Sequence, residues 1–298
     1  MKIVITGASG FIGRRLLAAL GGHSLAVLSR RADAFQPPGA ALVVWNPMEG
    51  PPDPAALAGT DAVIHLAGEP VAQRWTPAAK ARIRESRVTG TANLVRGLGR
   101  LNPRPAVLVC ASAIGYYGAR GDEVLDESAS PGSGFLPEVC TAWEREAEAA
   151  ESVGVRVVRV RIGIVLAPEG GALQRMLPPF RAGLGGPLGA GKQWMSWIHL
   201  HDLVSLILHV VENPLSGAVN GTAPHPVTNA EFTRQLGRTL RRPAFLPVPG
   251  LALRVLFGEM SEVLLSGQRV VPFAAEASGF RFSYPELNAA LRDLLAAS

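Results

Sequence analysis

Cysteine is scarce in this chain, and that scarcity excludes two kinds of architecture. The 298 residues contain two cysteines, Cys110 and Cys140, and no C-x-x-C pair. Such a supply provides no disulfide framework for a small secreted domain and no cysteine-based metal site. The sequence therefore predicts a protein of a reducing compartment that holds no metal.

Long hydrophobic runs are missing as well. The longest apolar segments, such as 106–109 and 203–211, end well before the roughly 18 residues that a membrane span requires. At the N-terminus, Lys2 precedes a short apolar run that ends before Gly7, whereas a secretory signal has a longer apolar region and a cleavage site. We therefore expect a cytoplasmic protein with no membrane contact.

Lysine is rare among the basic residues. Lys2, Lys80 and Lys192 are its only occurrences, so the net charge of +5 comes almost wholly from scattered arginines. A nucleic-acid-binding surface needs a basic stripe or an aromatic platform, and neither accompanies this charge. We predict no nucleic-acid partner and ascribe the charge to a solvated basic surface plus an anionic ligand site.

What the sequence does contain is a regular alternation of apolar runs and longer amphipathic stretches. The runs predict strands at 2–6, 25–29, 41–44, 62–66, 106–111 and 155–161, and the stretches predict helices near 10–20, 77–98 and 136–151. Helices between apolar strands are typical of a parallel sheet covered on both faces. The fold class is therefore α/β, with a doubly wound parallel Rossmann sheet.

This rhythm changes after residue 161. The sequence predicts loops, a helix and a short hairpin over 170–197, then a helix over 201–212 and a short strand near 218–220 that can return to the first sheet. We expect a smaller C-terminal substrate-type domain. Residues 1–168 and 198–224 would form the Rossmann domain, and residues 169–197 and 225–298 the small domain.

A glycine-rich turn follows the first predicted strand. Gly7, Gly10 and Gly13 are spaced as G-x-x-G-x-x-G and lead into a helix. Glycine permits the tight turn, the approach of the backbone to a pyrophosphate and close packing of the helix, whose N-terminal N–H groups favour an anion. Such triplets also occur in ordinary strand-to-helix turns, but this position directly after an N-terminal strand favours dinucleotide binding.

The second predicted strand ends at Ser29-Arg30-Arg31. A carboxylate at this place commonly binds the ribose 2′-hydroxyl of NAD, whereas a guanidinium can bind the 2′-phosphate of NADP by charge-assisted hydrogen bonds. The sequence therefore favours NADP over NAD. The alternative is a surface arginine pair without a ligand.

Further motifs extend over nearly the whole chain. They are HLAGEP (65–70), ESR (85–87), SAIGYYG (112–118), CTAWE (140–144), RIGIVL (161–166), LPPF (177–180), GLGGP (183–187), WIH (197–199), GTAP (221–224) and GQR (267–269). With the glycine-rich turn, they make the chain resemble the extended short-chain dehydrogenases/reductases. The resemblance is closer to their epimerase-family branch, which includes SDR39U-like proteins related to NAD-dependent epimerases/dehydratases.

The resemblance implies a cofactor site at matching positions of this chain. Those positions are Thr6, Gly7, Ser9, Gly10, Phe11, Ile12, Ser29, Arg30, Leu66, Ala67, Arg87 and Val165, to which the motifs add Gly13, Arg31 and Gly68. The turn at 66–68 would lie beneath the adenosine, at the carboxyl end of a strand.

The resemblance also shows what is missing. Active members use a tyrosine acid/base with a lysine four residues later, a serine or threonine, and a helix asparagine. None of the three tyrosines of this chain, Tyr116, Tyr117 and Tyr284, has that lysine. Alignment on the family places Cys140 at the tyrosine position, Glu144 at the lysine position, Arg87 at the asparagine position, and Ser112 or Ala113 at the serine position.

Two interpretations remain open. Another constellation transfers protons, with Ser112, Tyr116, Cys140 and Glu144 as candidates, and the protein is an oxidoreductase or epimerase of an unidentified small molecule. Alternatively, the protein binds NADP(H) without turnover, as a regulatory or non-catalytic module. Glu144 is either an acid/base with a raised pKa or a solvated helix residue, and Cys140 is either a thiol donor or a small buried hydrophobe. The chain is a monomer or a homodimer.

Overall fold

The computed structural model describes residues 1–32 and 39–296. Its strands are β1 (Lys2–Thr6), β2 (Ser24–Ser29), β3 (Ala41–Val44), β4 (Ala62–His65), β5 (Val107–Ala113), β6 (Val124–Leu125), β7 (Arg156–Ile162), β8 (Ile164–Ala167), β9 (Trp194–Met195), β10 (Trp197–His199), β11 (Gly217–Gly221), β12 (Val227–Thr228) and β13 (Arg269–Val270).

The α-helices are α1 (Phe11–Ala19), α2 (Pro54–Leu57), α3 (Pro77–Gly99), α4 (Phe135–Glu148), α5 (Gly171–Arg181), α6 (Leu200–Glu212), α7 (Asn229–Leu240), α8 (Gly250–Phe257), α9 (Ser261–Leu265), α10 (Phe273–Ala277) and α11 (Leu287–Ala296). Short 3₁₀ helices span Ile114–Tyr117, Ala149–Val153 and Gly258–Met260.

Seven of the described strands form one parallel sheet in the order β3-β2-β1-β4-β5-β7-β11. The α/β fold class and the doubly wound sheet are therefore confirmed. The strand order reverses between β1 and β4, and open α/β sheets bind ligands at the carboxyl ends of the strands beside such a reversal.

Alternating side chains bury both faces of the sheet. Ile3 and Ile5 of β1 face the core under α1 and α6, while Val4 faces the core under α3 and α4. Leu16 of α1 and Trp143 of α4 are among the buried helix residues on the two faces. This two-sided burial explains why the strands read as continuous apolar runs.

The C-terminal part has a separate apolar core. Trp197 and Phe232 are fully buried there together with residues of α5, α7 and α11. The short hairpin predicted within 170–197 is wrong: β9 pairs antiparallel with β12, while β10 pairs parallel with β8. Ser196 separates the two strands and bonds to the backbone at Gln268 and Val270, so each strand has its own partner. The division into two interleaved domains stays a prediction.

Within residues 1–32 and 39–296, no helix combines the length and apolarity that a bilayer crossing requires.

Candidate functional site

The glycine-rich turn joins β1 to α1 at the point where the strand order reverses. Gly7 has a φ of +71°, and a Cβ there would lie 2.7 Å from the carbonyl carbon of Leu66. A Cβ on Gly13 would lie 2.5 Å from the Gly7 oxygen. Any side chain at these two positions would collide with backbone, so the turn needs glycine at both.

The N-terminus of α1 is open. Gly10 caps it without a side-chain hydrogen bond, no acidic residue lies in its first turn, and Ser9 and Gly10 are exposed. The first N–H groups of a helix lack partners within the helix and carry partial positive charge. This opening fits a phosphate of a dinucleotide.

A buried chain of three polar side chains supports the turn from below. Thr6 Oγ1 lies 2.6 Å from His65 Nδ1 and accepts a hydrogen bond from the Ala67 N–H, and His65 Nε2 lies 3.1 Å from Thr91 Oγ1. Burial, and secondly the positive charge of Arg87, lowers the pKa of His65 to about 4. A neutral imidazole therefore holds the end of β1 against the turn after β4.

The predicted 2′-phosphate site lies at the end of β2. Ser29 is the last residue of the strand, its Oγ accepts a hydrogen bond from the Arg31 N–H at 3.2 Å, and Arg30 and Arg31 are exposed. Phe11 lies on the other side of the glycine-rich turn, where a Cβ on Gly170 would come within 2.5 Å of its ring. Val165 is buried in the nearby β8.

A cavity of about 430 Å³ opens next to the turn after β4, where Arg87 of its lining lies against Gly68. Its walls come from residues 71–87, the ends of β5 and β7, the N-terminal half of α4, and residues 259–268. Of the four proton-transfer candidates, Cys140 lines it, and Ser112, Tyr116 and Glu144 are not among its lining residues. The four candidates are therefore divided between the cavity, which Cys140 lines, and the side chains packed behind it.

Glu144 lies among those side chains. It is 3% exposed, and its carboxylate accepts hydrogen bonds from Ser112 Oγ at 2.6 Å, Arg161 at 2.9 Å through two nitrogens, and Arg159 at 3.2 Å. Two guanidinium groups thus neutralise one buried carboxylate. The arrangement positions β5, β7 and α4 relative to one another, and Glu144 is not a solvated helix residue.

Sequence reasoning missed the two arginines of this cluster. Both stand in β7, whose sequence RVVRVRI places arginine inside an otherwise apolar buried strand. A fully buried arginine is rare unless it is paired. The arginines within this apolar strand could therefore have indicated a buried carboxylate partner.

The neighbouring tyrosines extend the cluster. The Arg161 guanidinium lies 3.5 Å from the ring centroid of Tyr116 and donates to the Tyr117 hydroxyl at 3.0 Å. Tyr117 in turn donates to Asn220 at 2.7 Å, and burial raises its pKa to about 12. Tyr116 is half-buried against the guanidinium, so both rings serve the packing of Arg161.

Cys140 faces the cavity from α4. Burial, and secondly the charge of Glu144, raises the pKa of its thiol to about 12. The sulfur therefore keeps its proton at neutral pH, and a thiolate nucleophile is not formed. Over the described ranges, no three His, Cys, Asp or Glu side chains come together in a way that could hold a metal ion.

Comparison with known proteins gives consistent relatives. Residues 3–223 match the model of the NAD-dependent epimerase/dehydratase family, and residues 248–294 match a domain of unknown function (DUF1731). The chain is 43% identical to "Epimerase family protein SDR39U1 homolog, chloroplastic" of Arabidopsis thaliana, across 99% of this chain and 87% of that one. It is 45% identical to "Epimerase family protein Mb2239" of Mycobacterium bovis, across 97% and 96%.

A solved structure is similar along the full length. The crystal structure of human epimerase family protein SDR39U1 (isoform 2) with NADPH has a TM-score of 0.89 with this chain, at 34% identity and with 100% of both chains covered.

Proposed function

This chain belongs to the NAD-dependent epimerase/dehydratase family, and from that premise we propose that it is an NADP(H)-binding oxidoreductase or epimerase acting on a small molecule in the cleft. The observation that carries the proposal is the open glycine-rich turn at the reversal of strand order, together with a cavity that adjoins the neighbouring turn after β4. A cytoplasmic location and a monomeric or homodimeric state complete the proposal.

NADP is preferred to NAD for two reasons. Arg30 and Arg31 follow the second strand at the place where NAD-binding proteins commonly have a carboxylate. The human relative of 34% identity was crystallised with NADPH. Both point to a 2′-phosphate bound by guanidinium.

The residues of the chain divide the chemistry among them. A bound nicotinamide supplies or accepts hydride. Cys140 Sγ holds a proton at the cavity wall and can donate it to an oxygen that gains negative charge. Apolar side chains such as Trp75 and Phe135 exclude water from the reacting atoms, and the Glu144–Arg161 pair fixes α4 and hence the position of that thiol.

A second candidate function is NADP(H) binding without turnover. It is favoured by the engagement of Ser112 and Glu144 with each other and with two arginines, which leaves the cavity without the usual hydroxyl and amine pair. The two candidates make the same prediction for cofactor binding and differ in turnover.

Cofactor choice is tested by calorimetric titration with NADPH and NADH. We expect NADPH to bind at least ~10-fold more tightly, because hydrogen bonds to a charged group contribute about 1.5–3 kcal/mol each. The double variant Arg30→Ala/Arg31→Ala should lose this preference and keep its NADH affinity. Arg254→Ala, at an exposed position on α8, is the matched control. A preference that survives the double variant would overturn the assignment.

Turnover is tested by following the absorbance of NADPH with aldehydes, ketones and nucleotide sugars. We expect Cys140→Ala to lower kcat about 100-fold with unchanged NADPH affinity, since a positioned acid contributes that much to proton transfer. Cys110→Ala, at a buried cysteine that does not line the cavity, is the control. Tight NADPH binding with no turnover of any substrate class would instead support the second candidate.

A further inference from the structure

A half-buried arginine of the cavity forms no salt bridge with a carboxylate among the described residues. Arg87 lies on α3 and lines the cavity. Its guanidinium donates to the carbonyl oxygens of Glu69 at 2.9 Å and Ile83 at 3.2 Å, and it lies 5.1 Å from the ring centroid of Trp143. Carbonyl oxygens and an aromatic face satisfy hydrogen bonds without cancelling the charge.

The carboxylates near that guanidinium are engaged elsewhere. The side chain of Glu69 lies 3.6 Å from Arg82. Glu144 is held by the buried arginine pair of β7. Glu259, across the cavity, pairs with Lys80. Each of these acids forms a salt bridge with another cation, so the guanidinium on α3 has no salt bridge to them, although the charge of Glu69 partly compensates it.

The other groups around the cavity do not neutralise it either. The thiol of Cys140 keeps its proton, as its raised pKa requires. α4 begins at the cavity after Gly134 without a side-chain cap, and its N-terminal partial positive charge is offset by the exposed Glu138 of its first turn. Burial lowers the pKa of Arg87, Cys140 and Glu69 oppose this, and a guanidinium remains charged in a protein. Keeping a half-buried charge without a salt bridge is costly, and a bound anion would reduce that cost.

The rest of the cavity is mainly apolar. Its walls include Val71, Trp75, Ile83, Phe135 and Leu136, and its volume of about 430 Å³ lies within the range of small-molecule pockets. Its acidic lining residues, Glu259 and Glu262, are exposed at the mouth. Of the two cations in the described lining, Lys80 pairs with Glu259 and Arg87 has no salt bridge. One such cation suits one negative charge on an apolar body, whereas a nucleotide sugar brings a diphosphate.

Resting on the proposed function, we propose that the ligand of this cleft is a small apolar acid whose single carboxylate pairs with Arg87 and whose carbon skeleton fills the apolar cavity. This assignment gives Arg87 to the substrate, although the family resemblance implies a place for it in the cofactor site.

The test compares octanoate with octanamide, two probes of equal shape and different charge. Each is titrated into the NADPH-loaded protein, with the tryptophan fluorescence as the readout. We expect octanoate to bind at least ~10-fold more tightly than octanamide, because a charge-assisted, bidentate pair is stronger than a neutral hydrogen bond. Arg87→Gln should abolish this preference and Arg87→Lys should restore part of it. Arg84→Gln, at an exposed position on the same helix, should leave it unchanged.

The failures are distinguishable. If the unmodified chain does not bind NADPH, the proposed function is refuted, whatever the result with the acid. Intact NADPH binding with equal affinity for octanoate and octanamide would refute only the carboxylate site. A preference that persists in Arg87→Gln, or an Arg87→Gln variant in which only NADPH affinity falls, would return Arg87 to the cofactor. Tighter binding of UDP-glucose than of octanoate would identify a nucleotide-sugar site. The wild-type comparison needs no variant, so the test holds even if Arg87→Gln misfolds.

Discussion

Two regions at the same edge of the sheet are built in opposite ways. The turn side, which comprises residues 6–13, 29–31 and 65–68, is open and relies on backbone N–H groups, glycines and a neutral histidine. The cleft side comprises residues 112–118, 140–144 and 159–161. Its side chains pack around one buried carboxylate that two arginines share. A charged cofactor needs backbone N–H groups that are open to it, which the turn side provides. On the cleft side, the buried ion pairs of Glu144 hold the elements that surround the cavity.

The largest expected effect on stability comes from removing the buried carboxylate of the cleft side. Glu144→Leu leaves Arg161 buried without its carboxylate, and breaking a buried ion pair by removing one partner costs about 3–5 kcal/mol. Urea unfolding should show this loss in the free energy of unfolding. Glu148→Gln, which removes an exposed carboxylate from the same arginine cluster, should cost much less. Equal losses in the two variants would show that the buried pair carries no special weight.

The pH dependence of stability sharpens the contrast on the turn side. His65 stays neutral in the folded protein down to about pH 4, while in the unfolded chain it takes up a proton near pH 6.5. Between these pH values the unfolded state binds more protons than the folded state. The contribution of His65 to the free energy of unfolding is therefore fully present above pH 6.5, and it falls by about 3 kcal/mol as the pH drops toward 4. His65→Gln should flatten this window in urea titrations, and His225→Gln, at an exposed site, should not. A slope unchanged by His65→Gln would assign the acid sensitivity to other groups.

The two sides also differ in how far the sequence predicts them. The glycines lie within seven consecutive residues, and the positive φ of Gly7 and the contact of Gly13 with Gly7 and Ala8 are local constraints, so the spacing indicates the turn. The close approach of Leu66 to Gly7 is not local and is seen only in the fold. The seven parallel strands follow equally from local apolar runs. By contrast, Ser112, Glu144 and Arg161 come from three elements, and only the folded packing brings them together. The family alignment named Glu144 but could not show that its carboxylate is neutralised.

The wrong hairpin has the same cause. Residues 194–199 have the length and aromatic content of two short strands, and local propensity favours pairing them with each other. Their partners, β12 and β8, lie about 30 residues away in either direction and are chosen by the packing of the C-terminal core. Local propensity therefore predicted strands here correctly but paired them with each other rather than with β12 and β8.

A glycine substitution tests the turn side with a smaller effect. Gly13→Ala places a Cβ 2.5 Å from the Gly7 oxygen and 2.6 Å from the Ala8 Cα, both backbone atoms. We expect a loss of about 2 kcal/mol in thermal or urea unfolding, in the range of overpacked sites, and a weakening of NADPH binding by at least ~10-fold. Gly22→Ala, where an added Cβ meets nothing within 4 Å, provides the control. Unchanged NADPH affinity in Gly13→Ala would mean that the cofactor does not depend on this turn.

The smallest expected effect returns to the cleft side and concerns Ser112. Its hydroxyl points to Glu144 rather than into the cavity, and Ser112→Ala removes one of several hydrogen bonds to that carboxylate while both arginines remain. The loss should therefore be about 1 kcal/mol in urea unfolding, with NADPH affinity unchanged and kcat, where turnover is found, within about 3-fold of the original. A drop in kcat of about 100-fold without a matching loss of stability would instead place the hydroxyl among the reacting groups. The buried cluster of the cleft side would then take part in catalysis. The two regions could no longer be contrasted as a structural cluster and a ligand site.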